Sequence, residues 1–131
     1  MYRRTFIQQI VSVAALTMLP RHDRAGVRRS LLLEAPVAGF RYYEGPHLIK
    51  RIAAGDPLML KREPDNSYDN MAISVYWRGS KIGYIPRADN TVLARLIDAD
   101  TVAIAAQVSL VDPTSAPWDA VEVEVYMVKG L

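Results

Sequence analysis

The sequence predicts a mainly β domain with two short helices, of the α+β class, built as a small antiparallel barrel like the OB fold. Three observations predict this fold. Short segments with alternating apolar and polar residues recur, turn-forming residues separate them, and only two stretches space their apolar residues as a helix does. The 131 residues suffice for one domain with one core. Closure into a barrel would also remove exposed sheet edges.

The first half of the domain is predicted to hold two strands and one helix. An apolar run over residues 31–40, closed by Gly39, indicates the first strand. A short helix is expected over His47–Ala54, because its apolar residues share one side, and a Gly-Asp-Pro sequence then stops it. Residues 57–62 are predicted as the second strand and 63–67 as a turn-rich loop.

The second half is predicted to hold four strands and the second helix. Residues 71–77 alternate with period two and join residues 81–85 through a tight turn, which predicts a hairpin. Asp89 or Asn90 is expected to cap the helix. The apolar face expected for this helix comprises Val92, Leu93, Leu96 and Ile97. The inward residues expected in the last two strands are Val102, Ile104, Ala106, Val108 and Leu110, then Val121, Val123, Val125 and Met127.

The net charge of +2 conceals two regions of opposite sign. Residues 1–30 hold six arginines against one aspartate, whereas residues 31–131 hold ten basic against thirteen acidic residues. The body therefore lacks the positive excess that drives non-specific phosphate binding. The absence of cysteine excludes disulfides, thiolate metal sites and cysteine nucleophiles, and two histidines are too few for a metal cluster built from histidine.

Residues 1–29 are predicted to be a targeting leader that precedes a domain of residues 30–131. Arg3-Arg4-Thr5-Phe6-Ile7 and the apolar stretch over 10–19 fit a secretory signal and resemble a twin-arginine signal. The stretch is shorter than the ~20 apolar residues that span a bilayer. The leader therefore predicts export to the periplasm. The alternative is an N-terminal extension without targeting function, which would leave the protein in the cytoplasm.

No assembled set of catalytic residues is recognisable in the sequence. It contains no phosphate-binding loop, no Gly-x-Ser-x-Gly elbow and no histidine partnered for a triad. The carboxylate pair Asp65/Asp69 fits a turn, and Glu122/Glu124 fits the solvent face of a strand. The protein is therefore not expected to be an enzyme, and neither a cofactor nor a metal is expected.

Three segments, 40–45, 62–69 and 81–87, interleave aromatic rings with basic and amide side chains. Bases stack on rings, and arginine and lysine contact phosphates, so this combination is typical of single-stranded nucleic-acid binding. Tyrosines at strand ends also serve as ordinary scaffold, with the ring packed and the hydroxyl bonded to backbone. Composition alone leaves both interpretations open.

The same three segments, in this order and spacing, resemble a HIRAN domain over about residues 32–128. The resemblance implies a modified OB fold and binding of single-stranded DNA at its 3′ end. It also implies that Arg41 and Arg87 hold phosphates and that Tyr42 and Tyr68 stack on the terminal bases. Trp118 would supply a further aromatic side chain in the last loop.

The resemblance implies that the loop carrying Asn66 and Asp69 distinguishes a free 3′ end from a strand that continues. Asp69 would accept a hydrogen bond from the free 3′-hydroxyl, and Asn66 would support the loop. A carboxylate repels a phosphate oxygen, so a strand that continued would be rejected. Tyr84 stands where DNA-binding members carry histidine, and it can still donate a hydrogen bond or stack.

Two functions from different classes follow. The first is a module that binds a 3′ end of single-stranded DNA, which the set of site residues favours. The second is an exported module of the same fold that binds another ligand or a protein partner in the cell envelope, which the leader and the acidic body favour. Exposure of Tyr42 and Tyr68 at one groove would distinguish the first from the second. A monomer is expected in either case.

Overall fold

Residues 28–129 are described by the computed structural model, and they form six β-strands and two α-helices. The leader predicted over 1–29 lies outside the described residues except for Arg28 and Arg29, which belong to the first strand. The strands are β1 (Arg28–Pro36), β2 (Pro57–Arg62), β3 (Ile73–Trp77), β4 (Ser80–Tyr84), β5 (Ala103–Val111) and β6 (Val121–Lys129). The helices are α1 (Gly45–Leu48) and α2 (Asn90–Ala99). None of the helices within 28–129 is long and apolar enough to cross a membrane.

The elements follow in the predicted order of strand, helix, three strands, helix and two strands, and the mainly β class is confirmed. The first helix differs from its prediction, because α1 ends at Leu48 after a single turn. The residues up to Ile52 continue as tighter turns, in which the N–H of Arg51 donates to the carbonyl of Leu48 and that of Ile52 to Ile49. Ile52 still reaches the core, so the apolar spacing was informative although the helix is short.

The strands form one antiparallel sheet in the order β1-β6-β5-β2-β3-β4, so β1 and β4 are its edges and the predicted closed barrel is wrong. Within the described residues, an isolated bridge between Ala38 and Tyr84 joins the two edges. Its two backbone hydrogen bonds measure 2.8 and 2.9 Å. The chain turns into a 3-10 helix at Phe40, which leaves too few residues after β1 for a full ladder with β4.

Gly83 permits this close approach of the two edges. Its φ is +152°, and a Cβ atom there would overlap the carbonyl oxygen of Ala38 and the side chain of Val37. A larger residue would therefore push the Val37–Ala38 segment away from β4. The glycine thus allows Ala38 to lie next to β4, and both border the cavity described below.

The core is formed by buried residues of the sheet together with Leu93, Ala94 and Ile97 of α2. Its largest fully buried members are Trp77, Leu58, Leu60, Ile73, Ile82, Ile85, Ile104, Val37, Val75, Val108 and Val121. Leu110 was predicted to point inward, but it is exposed because a bulge between Val108 and Leu110 shifts the register of β5 against β6. Val92 was also predicted to face the core, but Leu93 and Ile97 define that face and Val92 lies on the opposite side of α2.

Candidate functional site

A cavity of about 390 Å³ opens beside the bridge between Ala38 and Tyr84. Its volume lies within the range of about 300–1,000 Å³ that is typical of ligand sites. The predicted site residues that line it are Asn66, Tyr68, Asp69, Tyr84 and Arg87. The other lining residues are Ala38, Tyr43, Ala72, Ile85 and Asn90. The structure therefore brings together the 62–69 and 81–87 segments that the sequence analysis singled out.

The other predicted site residues, Arg41, Tyr42 and Trp118, do not line the cavity. They lie on two 3-10 helices, Phe40–Tyr42 and Pro117–Asp119, which pack against each other, and the first also packs against β4. The Arg41 guanidinium lies 5.3 Å from the centre of the Tyr42 ring. Arg41, Tyr42 and Trp118 are all exposed, so this second group of side chains is accessible to a ligand.

Tyr42 and Tyr68 expose 75% and 87% of their surface, which is far more than tyrosines with a packing role do. Only Tyr68 borders the cavity, whereas Tyr42 lies on the neighbouring 3-10 helix. Both rings can therefore be stacked upon, as the DNA-binding hypothesis requires. The two rings do not line one common groove, because the cavity is bordered by Tyr68 and not by Tyr42.

Asn66 organises the loop that carries Tyr68 and Asp69. Its Oδ1 accepts hydrogen bonds from the backbone N–H groups of Tyr68 at 2.9 Å and Asp69 at 3.2 Å. Its Nδ2 donates to Oε1 of Glu63 at 3.0 Å. An asparagine side chain that bonds backbone two and three residues further on stabilises a turn locally. Asn66 therefore stabilises the conformation of this loop.

Asp69 is held by two donors from different elements. The backbone N–H of Met71 donates to its Oδ1 at 2.9 Å, and Nδ2 of Asn90 donates to its Oδ2 at 2.8 Å. The bond from Asn90, followed by that from Met71, holds the pKa of Asp69 below its usual value of 3.8, and the charges of Arg87 and Arg62 act in the same direction. Asp69 is thus ionised at neutral pH. The two bonds use two of the about four acceptor positions of a carboxylate, which leaves capacity for a ligand hydroxyl.

The hydroxyl group of Tyr84 takes part in a hydrogen-bond network on one wall of the cavity. Its hydroxyl donates to Oε1 of Glu63 at 2.7 Å and accepts from Nζ of Lys81 at 2.6 Å. Because a phenol has a single proton, the hydrogen bond that Tyr84 was expected to donate to a ligand is already used. Its ring meets that of Tyr43 edge to face at 5.8 Å, so the ring forms part of the cavity wall.

The same network determines the protonation states of Tyr84, Glu63 and Lys81. Burial raises the pKa of Tyr84 to about 12, so the phenol stays protonated. Burial opposes the charged forms of Glu63 and Lys81, but their hydrogen bonds outweigh it. The pKa of Glu63 is lowered by the bonds from Asn66 and Tyr84, and that of Lys81 is raised by its bonds to Tyr84 and Glu63. The pair therefore remains carboxylate and ammonium, with a separation of 3.4 Å.

Sequence reasoning missed the roles of Glu63, Lys81 and Asn90. Glu63 meets Tyr84 across 21 positions of sequence, and Asn90 meets Asp69 across the same separation, so no local pattern reports either contact. Asn90 was considered only as a helix cap. Within the part of the chain that the structure describes, no group of three or more His, Cys, Asp or Glu side chains is placed to hold a metal ion.

Comparison with known proteins finds relatives of this chain. Over 71 residues, or 53% of this chain, the sequence is 39% identical to a SWI/SNF-related matrix-associated actin-dependent regulator of chromatin subfamily A member 3-like 1 from Arabidopsis thaliana. The match covers only 8% of that protein's length.

Two solved structures share the fold. A protein from Lactobacillus plantarum is 27% identical with a TM-score of 0.67, and the match covers 79% of this chain and 99% of that one. The HIRAN domain of human HLTF is 22% identical with a TM-score of 0.61, over 78% of this chain and 80% of that one. A family model described as the HIRAN domain matches residues 31–129, which is nearly all of the described chain. The chain therefore belongs to the HIRAN domain family.

Proposed function

We propose that this protein binds single-stranded DNA at its 3′ end and prefers an end with a free 3′-hydroxyl. HIRAN domains are nucleic-acid-binding modules, which supports DNA binding in general. The observation that carries the finer proposal is the placement of Asp69. Its ionised carboxylate lies in a cavity next to the exposed ring of Tyr68, with acceptor capacity left for a hydroxyl.

In this proposal the terminal base stacks on Tyr68 and the 3′-hydroxyl donates to Asp69. Base stacking on an aromatic ring is largely independent of sequence, because every base has a π-face. Arg87 at the cavity and Arg41 beside it would contact the phosphates that lead away from the end. A 3′-phosphate or a continuing strand would place an anionic group against the carboxylate, which costs free energy through repulsion and desolvation.

Fluorescence anisotropy of the full chain with short labelled oligonucleotides tests the proposal. The oligonucleotides end in a 3′-hydroxyl, in a 3′-phosphate or in a hairpin that buries the end, each at low and at moderate salt. We expect the hydroxyl end to bind at least about tenfold more tightly than the phosphate end, because a hydrogen bond to a charged acceptor is worth about 1.5–3 kcal/mol. Equal affinities would contradict end selection. No binding at low salt, where phosphate attraction is strongest, would contradict DNA binding and favour a protein partner.

Tyr68→Ala is expected to weaken binding to the hydroxyl-ended oligonucleotide by roughly 10- to 100-fold, because one stacked base contributes about 1–3 kcal/mol. The melting temperature should stay unchanged, since the ring is almost fully exposed. Tyr126→Ala is the matched control, because Tyr126 lies on β6, outside the cavity lining, where its ring packs under Arg29. Undiminished affinity of the Tyr68 variant would rule out stacking on this ring.

A further inference from the structure

We infer that Asn90 is a specificity-determining residue of this site, because it positions the Asp69 carboxylate so that a hydroxyl is accepted and a phosphate is rejected. The inference rests on the proposed function and assigns a residue that would not itself touch the DNA hydroxyl. Asn90 is a positioning residue that acts through Asp69.

The first argument is the burial of Asn90, which is only 2% exposed although its side chain is polar. A buried amide costs free energy unless it is hydrogen-bonded. Asn90 is the first residue of α2, and Asp89 before it makes no capping bond with its side chain. The Asn90 amide donates to Oδ2 of Asp69 at 2.8 Å. The start of α2 thus contributes its buried polar side chain to the cavity.

The second argument is that two donors fix the plane of the carboxylate. Met71 holds Oδ1 through its backbone, and Asn90 holds Oδ2 through its side chain. Rotation of the carboxylate would break both bonds. With Asn90 removed, the Met71 bond alone would remain, and the carboxylate could turn its charge away from an incoming phosphate.

The third argument is that the Asn90 amide is neutral. A lysine or arginine in its place would also donate to Asp69, but it would cancel the charge that repels a phosphate. The cations that act on Asp69 are Arg87, which is exposed, and Arg62, which is bound to Asp98 and to two backbone carbonyls. Asn90 therefore orients the carboxylate while the full negative charge is kept.

A purely structural role for Asn90 would be to tie α2 to the loop before β3. That connection already exists without it. Arg62 donates to both carboxylate oxygens of Asp98 on α2 at 2.9 and 3.1 Å, and to the carbonyls of Ala72 and Asn70 at 2.7 and 3.0 Å. Asp98→Ala weakens this other connection without touching Asp69, so it provides the matched control.

The experiment compares the full chain with Asn90→Leu, which keeps the branched side-chain skeleton but replaces the amide donor by methyl groups, and with Asn90→Ala in case the larger leucine disturbs folding. The first measurement is the ratio of the Kd for a 3′-phosphate end to the Kd for a 3′-hydroxyl end. The second is the pKa of the Asp69 carboxyl, measured without DNA by NMR titration of labelled aspartate. We expect the ratio to fall roughly 3- to 10-fold and the pKa of Asp69 to rise, because one hydrogen bond is lost.

The Asp98→Ala control should lower the melting temperature and leave both the ratio and the pKa of Asp69 close to wild type. If a folded Asn90 variant keeps the wild-type ratio, the inference is overturned. If the wild-type chain binds both ends equally, the proposed preference for a 3′-hydroxyl end is contradicted, whatever the Asn90 variants do. The NMR titration of Asp69 then shows separately whether the contact with Asn90 exists.

Discussion

Asp69→Ala is expected to abolish the preference for a 3′-hydroxyl end over a 3′-phosphate end. The hydroxyl-ended oligonucleotide loses its charged acceptor, which should weaken its binding by roughly 10- to 100-fold. The phosphate-ended oligonucleotide is relieved of repulsion and should bind at least as tightly as it binds the wild-type chain. Anisotropy titrations of both oligonucleotides at one salt concentration measure the two effects together.

Asp65→Ala is the matched control for this change. Asp65 lies in the same loop and is exposed, and it does not line the cavity. Both variants gain one positive unit of net charge, so a general electrostatic gain in DNA affinity would appear in both. Loss of the hydroxyl preference in both variants would show that overall charge, and not the position of Asp69, selects the end.

The pH dependence of binding to the hydroxyl-ended oligonucleotide follows from the lowered pKa of Asp69. Because the folded-state pKa lies below the usual 3.8, the carboxylate stays ionised, and the affinity for the hydroxyl-ended oligonucleotide should be constant from about pH 8 down to about pH 5. The same shift means that Asp69 stabilises the fold above its unfolded pKa, and this contribution is lost as the pH falls through the folded pKa. An affinity for the hydroxyl-ended oligonucleotide that fell between pH 8 and 6 would indicate a different titrating group in the protein.

Arg62→Ala is expected to lower the free energy of unfolding by about 3 kcal/mol, the largest effect on stability that we predict. Arg62 is almost fully buried, and it bonds Asp98 and the carbonyls of Ala72 and Asn70. Alanine leaves those carbonyls without their donor and opens a cavity beneath the loop. Urea unfolding followed by tryptophan fluorescence measures the change, because Trp77 is buried in the core.

Two further variants serve as controls for Arg62→Ala. Arg95→Ala removes an exposed arginine from α2 and should change the free energy of unfolding by less than about 0.5 kcal/mol. Asp98→Ala should cost less than Arg62→Ala, because the Asp98 side chain is 40% exposed and Arg62 keeps its two carbonyls. If Arg62→Ala were as mild as Arg95→Ala, the buried guanidinium would not be what fixes this loop.

The fold was predictable wherever alternation or turn chemistry acts locally. The bounds of β2 match their prediction, and the hairpin of β3 and β4 follows from its tight turn. The errors arise where distant strands decide the geometry. Leu110 turns outward at a bulge that depends on β6, and closure fails because the chain bends into a 3-10 helix after Ala38.

The site was predictable to the extent that a family pattern marks it. The pattern singled out Tyr68, Asp69 and Arg87, and the structure places these three residues around one cavity. Some of the groups that bond site residues lie far away in the sequence, as with Asn90, which donates to Asp69, and Glu63, which accepts from Tyr84. A glutamate in a turn-rich loop or an asparagine at a helix start resembles many others in a sequence, so only the tertiary contact reveals its role.

The pairing of Lys81 with Glu63 has a consequence for how the protein would respond to ionic strength. Of the residues that line the cavity in the described part of the chain, Arg87 is the one cation, with Arg41 nearby. An ammonium already neutralised by a carboxylate releases few condensed counterions from DNA. Two phosphate contacts on a single strand lower log K by only about 1.4 for each tenfold rise in salt. The domain would therefore stay bound to a strand end at salt concentrations that dissociate proteins whose DNA affinity comes mainly from phosphate contacts.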